Sequence, residues 1–373
     1  MSDFDRLRVG LAGAGYWGSK LARNISEAQG CRLAAICDED EARLDAAVGR
    51  YSVEGCSRLT DLLALDGLDA VVLATPASGH AEHARAVLEA GKHVLVEKPL
   101  ALSSSECAHL TAIAEERGLT LMVGHTFVYS EPVRMLRDLI RSGELGRLLY
   151  IYGQRVNLGT IREDLNALWN FGPHDISILL YLLDEEPVRV SARQFPLLER
   201  RLEDVAFVIV EFSSGVIAHI HDSWVDPRKV RSFTVVGERK MVVYDDTDVE
   251  TPLRIYDKGV TRSPYESPGP EDFGTFEPGA TQGFGEFKLE VRAGDMLAPR
   301  VNAREPLGVE IEHFAECVRT GRRPLTDGEH GRQVVSVLEA ADASTSDDGR
   351  AVAIRDALPR DADARAPTSG GSR

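Results

Sequence analysis

Three glycines near the N-terminus have the spacing of a phosphate-binding turn. Gly13, Gly15 and Gly18 form GxGxxG between the apolar run at 7–12 and a helical stretch, and Asp38 ends the next apolar run. Glycines in this arrangement permit a tight turn and let a pyrophosphate approach the start of the helix. The carboxylate of Asp38 could accept hydrogen bonds from a ribose diol and would repel a 2′-phosphate, so the pattern predicts NAD rather than NADP. The alternative is a glycine-rich turn without a ligand.

A charged pair at the end of an apolar run is the second candidate for chemistry. The run HVLVEKPL, residues 93–100, places Glu97, Lys98 and Pro99 directly after apolar residues. Ligands of parallel sheets bind beyond the carboxyl ends of the strands, so we expect this pair on the same rim as the glycines. Pro99 fixes φ and permits a cis Lys98–Pro99 bond, and both would direct the lysine. The alternative is a strand that ends in solvent.

One histidine lies where a helix is predicted to begin. In ALWNFGPHDISILLYLL, residues 167–183, apolar residues recur at helical spacing after Pro173, a residue that suits the first turn of a helix. We therefore predict His174 at the helix N-terminus, where the macrodipole would lower the imidazole pKa and leave a neutral base for a hydroxyl proton. The alternative is a histidine that only packs at the start of the helix.

Alternating strands and helices must position the glycine turn and the charged pair. The helices include one whose Ser103 and Glu106 have capping-box spacing. Strands that alternate with helices predict βαβ units and a parallel sheet with right-handed crossovers, here over residues 1–124. The predicted strands are 7–12, 32–37, 69–74, 93–97 and 119–124.

The pattern changes after about residue 145, where strands follow one another with short turns. Close spacing of this kind predicts an antiparallel sheet in a second domain, residues 125–356. A polar segment at about 257–290 is predicted to be a long loop, and the tail 357–373 is predicted to be disordered. The predicted strands are DVAFVIVEF, VIAHIHDSW, RSFTVVG and KMVVYD, and two late helices are predicted at 305–321 and 328–344.

Composition argues against several classes of protein. The chain has 373 residues and a formal net charge of −16, which disfavours nucleic acid or an anionic membrane as a partner. No apolar run approaches the length of a membrane span, and the N-terminus has no apolar signal core. The five cysteines are scattered without a CxxC or Cys/His cluster, which predicts reduced thiols, no metal site and a cytoplasmic location.

Taken together, GAGYWG, the strand-end EKP and the second-domain histidine resemble the Gfo/Idh/MocA oxidoreductases. The run ATPASGHAEHARAVLEAGKHVLVEKPLA is especially similar to that family, and the resemblance extends from about residue 7 to about residue 354. It implies an α/β fold with an N-terminal Rossmann domain and a C-terminal α/β domain that has a large, mostly antiparallel sheet. It also implies a sugar or inositol dehydrogenase that forms a homodimer or homotetramer.

The resemblance assigns roles to particular residues. It implies that Lys98 contacts cofactor and substrate hydroxyl, that Glu97 lies near the nicotinamide ribose, and that His174 is catalytic together with Lys98. In a motif that the family often has as DxGxH, Asn170 replaces the aspartate; it can hydrogen-bond a substrate hydroxyl but cannot accept its proton. The other residues expected at the cofactor are Gly13, Gly15, Tyr16, Trp17, Gly18, Asp38, Thr75, Pro76, His80 and His125.

Further candidates lie between and beyond these motifs. The segment RVNLGTIREDLNALW resembles members that handle nucleotide-linked sugars, and its arginines could pair with a diphosphate. Its candidate substrate contacts are Arg155, Asn157, Arg162, Asp164 and Asn166. Asp175 follows His174 but points in a different direction on a helix. His219 and His221 are expected on a sheet face, and Trp224 belongs either to the pocket or to the core.

The sequence thus predicts an NAD-dependent oxidoreductase that transfers a hydride between nicotinamide and a secondary hydroxyl or ketone of a sugar. The first interpretation of the substrate is a nucleotide-linked sugar. One alternative is an amino sugar, an aminoglycoside or an inositol. Another is a non-catalytic NAD-binding sensor, which only Asn170 supports.

Overall fold

Two sheets of different character follow one another along the chain. The computed structural model describes residues 6–159, 161–198, 201–264, 287–302 and 304–354. Within these residues the first sheet has six strands and the second has nine. The predicted disorder of the tail 357–373 concerns residues outside the described ranges.

The first sheet is parallel throughout, as predicted. Its strand order is β3-β2-β1-β4-β5-β6, so the carboxyl ends of β1 and β4 are adjacent at the centre. The strands are β1 Leu7–Ala12, β2 Cys31–Cys37, β3 Glu54–Cys56, β4 Ala70–Leu73, β5 His93–Glu97 and β6 Leu121–Gly124. The helices between them are α1 Tyr16–Glu27, α2 Glu41–Tyr51, α3 Leu59–Leu63, α4 His80–Glu89 and α5 Ser104–Arg117.

Local side-chain chemistry sets the ends of these helices. The Ser103 hydroxyl accepts a hydrogen bond from the Glu106 N–H at 3.2 Å, so the predicted cap of α5 is confirmed. Asp40 caps α2 in the same way through the Arg43 N–H. Gly118 has φ +64° and ends α5 in the left-handed conformation that glycine adopts without steric cost.

The second sheet is mostly antiparallel, which also confirms the expectation. Its order is β14-β13-β12-β11-β7-β10-β9-β8-β15, and within the described residues only β7 and β10 run parallel. The predicted loop at 257–290 is wrong at both ends, because β13 continues to Pro264 and β14 begins at Phe287. Residues 265–286 of that loop lie outside the described ranges. The strands are β7 Leu148–Leu158, β8 Pro187–Phe195, β9 Val205–Phe212, β10 Ile217–Ser223, β11 Val225–Gly237, β12 Met241–Asp245, β13 Leu253–Pro264, β14 Phe287–Leu297 and β15 Val352–Ala353.

Four more helices connect the two sheets. They are α6 Glu131–Arg141, α7 Ala167–Leu183, α8 Pro306–Thr320 and α9 Gly328–Ser346. Helix α8 inserts Leu307, Ile311 and Phe314 into the apolar core on one side of the first sheet. Helix α9 joins the core of the second sheet through Val334 and also contributes Val335 to the other core of the first. The domain boundary expected near residue 124 stays a prediction. The late helices α8 and α9, which follow that boundary, contribute side chains to the cores on the two sides of the first sheet.

Among the described helices, none combines the length and the apolar content needed to span a lipid bilayer.

Candidate active site

A cavity of about 600 Å³ runs along the carboxyl ends of the central parallel strands. This is the edge at which open α/β sheets bind ligands. Eleven of the predicted residues line it, together with others that the sequence did not single out. The predicted ones are Gly13, Gly15, Trp17, Asp38, Thr75, Pro76, His80, Glu97, Lys98, Arg162 and Asp164.

The glycine turn fits a dinucleotide pyrophosphate. Gly13 has φ +97°, and a Cβ there would come 2.5 Å from the Ala74 carbonyl oxygen. A Cβ at Gly18 would overlap the Gly13 carbonyl, whereas one at Gly15 would meet nothing within 4 Å. Gly15 therefore leaves open space at the start of α1, where no side chain caps the helix N–H groups. Such N–H groups are suited to bind an anionic oxygen.

Asp38 is tied to the glycine turn and still lines the cavity. Its Oδ2 accepts a hydrogen bond from the Ala14 N–H at 2.7 Å, and its Oδ1 accepts one from the Asp40 N–H at 2.9 Å. The guanidinium of Arg43 lies 3.3 Å from Oδ1 and also lines the cavity. The sequence analysis missed Arg43, which lies in the first turn of α2, close to the residue Asp40 that caps this helix.

His80 joins the ends of two neighbouring strands. Its Nδ1 lies 2.7 Å from the Pro99 carbonyl oxygen and its Nε2 lies 2.9 Å from the Thr75 carbonyl oxygen. Burial lowers the pKa of His80, and the two carbonyl contacts act in the opposite direction. The hydroxyl of Thr75 is 3.0 Å from Nδ1 of His83, a cavity residue that the sequence analysis missed. The signal was available, because His80 and His83 have the spacing that places two side chains on one helix face.

Glu97 and Lys98 end β5 inside the site, which accounts for charge at the end of a buried strand. Glu97 is 7% exposed and accepts a hydrogen bond from the Trp17 indole N–H. Lys98 donates through Nζ to the Asn170 carbonyl oxygen at 2.9 Å, and the Lys98–Pro99 bond is cis. Burial raises the pKa of Glu97 to about 7 and lowers the pKa of Lys98 to about 8. The two opposite charges act against both shifts, because each favours the charged form of the other group.

His174 lies within α7 and not at its start. The helix begins at Ala167, where the Asn166 side chain accepts a hydrogen bond from the Trp169 N–H at 2.9 Å, and Pro173 lies in the helix interior. The predicted N-terminal position of His174 is therefore wrong. Its pKa is lowered well below the ordinary histidine value, as expected, but the main cause is burial, followed by the charge of Lys98. One helical turn separates His174 from Asn170, whose carbonyl oxygen accepts the hydrogen bond from Lys98. Lys98 therefore lies beside the part of α7 that carries His174.

Arg155 is in the core and does not line the cavity, which corrects its assignment as a substrate contact. It is 5% exposed, and its guanidinium donates twice to Oδ1 of Asp175, at 2.8 and 2.6 Å. Asp175 is fully buried and does not line the cavity either. Arg162 does line the cavity, where it forms a two-point ion pair with Asp164.

Several other predicted residues have contacts that stabilise the fold. Asn166 caps α7 and also donates to Glu203 at 2.9 Å. The Trp224 ring is fully buried and donates to Asp204, so it belongs to the core. His221 stacks on Phe207 across the sheet at 4.5 Å, which confirms a sheet-face position. The residues predicted at the site that do not line the cavity are Tyr16, Gly18, His125, Arg155, Asn157, Asn166, Asn170 and His174.

Within the described ranges no three His, Cys, Asp or Glu side chains are grouped to hold a metal ion.

The fold and the site define a Rossmann dinucleotide-binding protein with a second domain built on a large sheet. The chain belongs to the Gfo/Idh/MocA oxidoreductase family. The model of the NAD-binding Rossmann domain of this oxidoreductase family matches residues 7–125, and the model of the GFO/IDH/MocA C-terminal domain matches residues 133–243.

Similar proteins include inositol dehydrogenases and a protein of gentamicin A biosynthesis. The chain is 28% identical to the inositol 2-dehydrogenase of Salmonella typhimurium over 218 residues, which cover 56% of this chain and 65% of that enzyme. It is 31% identical to inositol 2-dehydrogenase 2 of Saccharopolyspora erythraea over 57% of this chain and 66% of that enzyme. The structure of GenD2 from gentamicin A biosynthesis, in complex with NAD, is 26% identical. Its TM-score is 0.75, with 94% of this chain and 96% of that chain covered.

Proposed function

We propose that the protein is an NAD-dependent dehydrogenase of a secondary hydroxyl on a sugar or cyclitol ring, or the corresponding ketone reductase. The observation that carries the proposal is the bond of 2.9 Å between Lys98 Nζ and the Asn170 carbonyl. It holds a cavity-lining lysine one helical turn from His174, on the strand edge that also bears the glycine turn. Family membership supports redox chemistry, and the aligned parts of the inositol dehydrogenases support a polyhydroxylated ring.

In this proposal each residue has a separate task. The glycine turn at Gly13 and Gly15 binds the pyrophosphate, and Glu97 fixes the Trp17 indole beside it. Lys98, as a cation, holds the reacting oxygen and stabilises its developing negative charge. His174, neutral because of its burial, accepts the hydroxyl proton. Bound NAD would supply the nicotinamide ring that accepts a hydride from the carbinol carbon.

The charges around Asp38 support NAD over NADP. Glu39 lines the same end of the cavity, and Asp40 follows it in the chain. Two arginines also line the cavity in this region, and both are paired: Arg43 with Asp38 and Asp40, and Arg58 with Asp61. A 2′-phosphate would therefore meet more carboxylates than unpaired cations among these residues.

The five cysteines are buried free thiols, which supports the proposal that the enzyme works in the cytoplasm.

For the substrate class we propose a sugar, with two candidates of different charge. A nucleotide-linked sugar has Arg162 as its support, because Arg162 lines the cavity together with its partner Asp164, whereas Arg155 is buried against Asp175 outside the cavity. An amino sugar or aminoglycoside is favoured by the similarity to GenD2 over nearly the whole chain. The net charge of −16 is compatible with a cationic substrate of that kind.

The test is NADH formation by the purified protein with NAD and a panel of nucleotide-sugars, hexoses, inositols and aminoglycosides. We expect turnover with one class. We also expect Lys98→Ala and His174→Ala each to lower kcat/KM by about a hundredfold or more. NADH affinity, read by fluorescence, should stay near the wild-type value.

The matched controls are Lys240→Ala and His109→Ala, since Lys240 pairs with Glu144 at the surface and His109 is exposed on α5. Full activity in either site variant would refute its role. Tight NADH binding without turnover in either direction, across alcohols and ketones, would favour the sensor.

A further inference from the structure

Three histidines from different elements lie on the inner side of the site. His174 belongs to α7, His125 follows β6 directly, and His330 lies in the first turn of α9. The rings of His125 and His330 are in edge contact, with centroids 5.3 Å apart. His125 is 1% exposed, whereas His330 is only half-buried. The three residues, called here the imidazole row, therefore lead from the site toward the surface at α9.

The ring nitrogens of the imidazole row are unusual because they are buried without partners. Both nitrogens of His125, Nδ1 of His174 and Nε2 of His330 are enclosed and have no hydrogen-bond partner among the described residues. Buried polar atoms in proteins are nearly always hydrogen-bonded, so such a group of exceptions calls for a reason. A structural histidine would have been fixed by a carbonyl or a carboxylate, as His80 is.

The charged groups around the row disfavour a resting proton on it. Lys98 and Arg155 face His174, and Lys98 also acts on His125 from the end of β5. Burial lowers the pKa of all three rings, and for His330 the pKa falls to about 4. The other charged groups that act on the row are Arg231 at His174 and, at His330, Asp327, which opposes the shift, and Arg137. The row is thus neutral at pH 7, so a proton that enters it is free to leave.

A proton must leave this site in the proposed reaction. The phenyl ring of Phe127 packs edge-on against His174 with centroids 5.0 Å apart, and so covers one side of the base. When substrate and dinucleotide fill the cavity, they cover the other side. Oxidation of an alcohol releases one proton for each hydride transferred, and His174 can keep that proton only until the next turnover.

We propose that the imidazole row conducts this proton from His174 through His125 to His330 and into solvent. The proposal rests on the proposed dehydrogenase function. The substrate O–H bond breaks and its proton binds Nε2 of His174, while the hydride goes to the bound NAD. Each ring then accepts a proton on one nitrogen and releases one from the other, which leaves it as the opposite tautomer. A flip of each ring restores the starting tautomer before the next cycle. The rings of His125 and His330 are in contact, and His125 is near enough to act electrostatically on His174, so a bridging water would carry the proton between those two rings. His125 and His330 are relay residues, because they act on the proton only through His174.

The test does not need a substrate. In protein labelled with ¹⁵N-histidine, NMR measures the exchange of the His125 ring N–H with water. We expect His330→Phe and His330→Asn each to slow that exchange by about tenfold or more, because neither side chain can accept and release a proton. Because asparagine keeps a polar group at position 330, His330→Asn still gives a result if His330→Phe fails to fold. His109→Phe, on the exposed face of α5, is the matched control and should leave the exchange unchanged.

Two results would overturn the proposal. One is unchanged His125 exchange in both His330 variants. The other is slowed exchange with no loss of kcat in His330→Asn once a substrate has been found. Absence of NADH formation across the substrate panel would refute the proposed function instead, and the exchange measurement would still report on the row.

Discussion

Lys98 is held in surroundings that make its charge depend on pH near neutrality. Its ammonium is withdrawn from water at the end of β5, with the Glu97 carboxylate beside it and the Asn170 carbonyl as acceptor. Because burial lowers the pKa of Lys98 from 10.5 to about 8, the cation is present below that pH and is lost above it. A neutral amine would stabilise a developing alkoxide much less than an ammonium does.

We therefore predict that kcat/KM falls as the pH rises through about 8. On the acid side His174 stays neutral to well below its ordinary pKa, so no loss is expected near pH 6 from this base. Lys98→Arg should be less active but should lose the alkaline fall, because a guanidinium remains charged. The measurement is a pH–rate profile of both proteins, with Lys240→Arg as control. A wild-type rate that stays level to pH 9 would contradict the assignment.

The asparagine at position 170, where the family often has aspartate, does not affect the contact with Lys98. The group that holds Lys98 is the Asn170 backbone carbonyl, which any residue would supply. Replacement of the family aspartate by asparagine therefore leaves this contact intact. It follows that the lysine can be positioned normally in a chain whose motif departs from the common pattern.

At the scale of elements, a row of charged groups crosses the second sheet beneath α7. Arg231 on β11 and Asp222 on β10 are both in register with Arg155 on β7. Arg155 is paired with Asp175 of the helix, but both oxygens of Asp222 lack a hydrogen-bond partner among the described residues. Asp222 is fully buried, and burial together with the Asp175 charge raises its pKa well above 3.8. The fold thus favours the protonated form of Asp222.

This arrangement predicts an unusual effect of Asp222→Asn. A carboxyl whose folded pKa is raised stabilises the fold below its unfolded pKa and loses that stabilisation as the pH rises. We expect the free energy of unfolding of the wild type to decline above about pH 4 through this group, by up to about 1.4 kcal/mol per pH unit. The asparagine variant lacks this term, so its stability relative to wild type should increase from pH 5 to pH 8.

Urea unfolding at the two pH values measures this difference. Asp138→Asn, at an exposed position on α6, is the matched control and should follow the wild type. A difference between Asp222→Asn and wild type that does not change with pH would show that Asp222 is ionised in the fold.

The elements also show what sequence patterns can and cannot predict. Apolar runs gave the strands that carry the glycine turn and Lys98, because a strand buried on both faces is continuously apolar. They missed β3, where two of the three residues are exposed. Pro173 was interpreted as a helix start because proline favours that place, yet Asn166 had the cap chemistry three residues before Trp169. The prediction of Arg155 as a substrate contact fails because its partner Asp175 is 20 residues away in sequence, and no local pattern indicates that the two side chains pair.

At the scale of the whole molecule, one face of the second sheet carries several apolar side chains that are exposed among the described residues. Tyr150 is 46% exposed and stacks with Tyr152, while Ile209 and Ile217 are each more than 40% exposed on neighbouring strands. The opposite face is covered by α7 and α9. Exposed apolar patches of this kind mark interaction sites, and we propose that two copies of the chain pair through this face.

A charge introduced into the face should separate the subunits. We predict that Ile209→Lys shifts the mass measured by light scattering from a dimer, or a multiple of it, to 40.8 kDa, because burial of an unpaired ammonium is costly. Val249→Lys is the control: Val249 is 91% exposed on the turn between β12 and β13, outside the patch. NADH affinity should be unaffected in both variants, since neither residue lines the cavity. A wild type that is already monomeric would contradict the proposal.

Helix α8 has a consequence for how the chain is made. Leu307, Ile311 and Phe314 complete the core beside β1, although nearly three hundred residues of sequence separate them from that strand. On the ribosome, the first sheet can form as soon as residues 7–124 have emerged, but the core that α1 begins on one of its sides stays incomplete until α8 follows. The half of the protein that carries the glycine turn therefore depends on a helix that is synthesised after most of the second sheet, and a chain that terminates before α8 is left with an incomplete core that quality control can recognise.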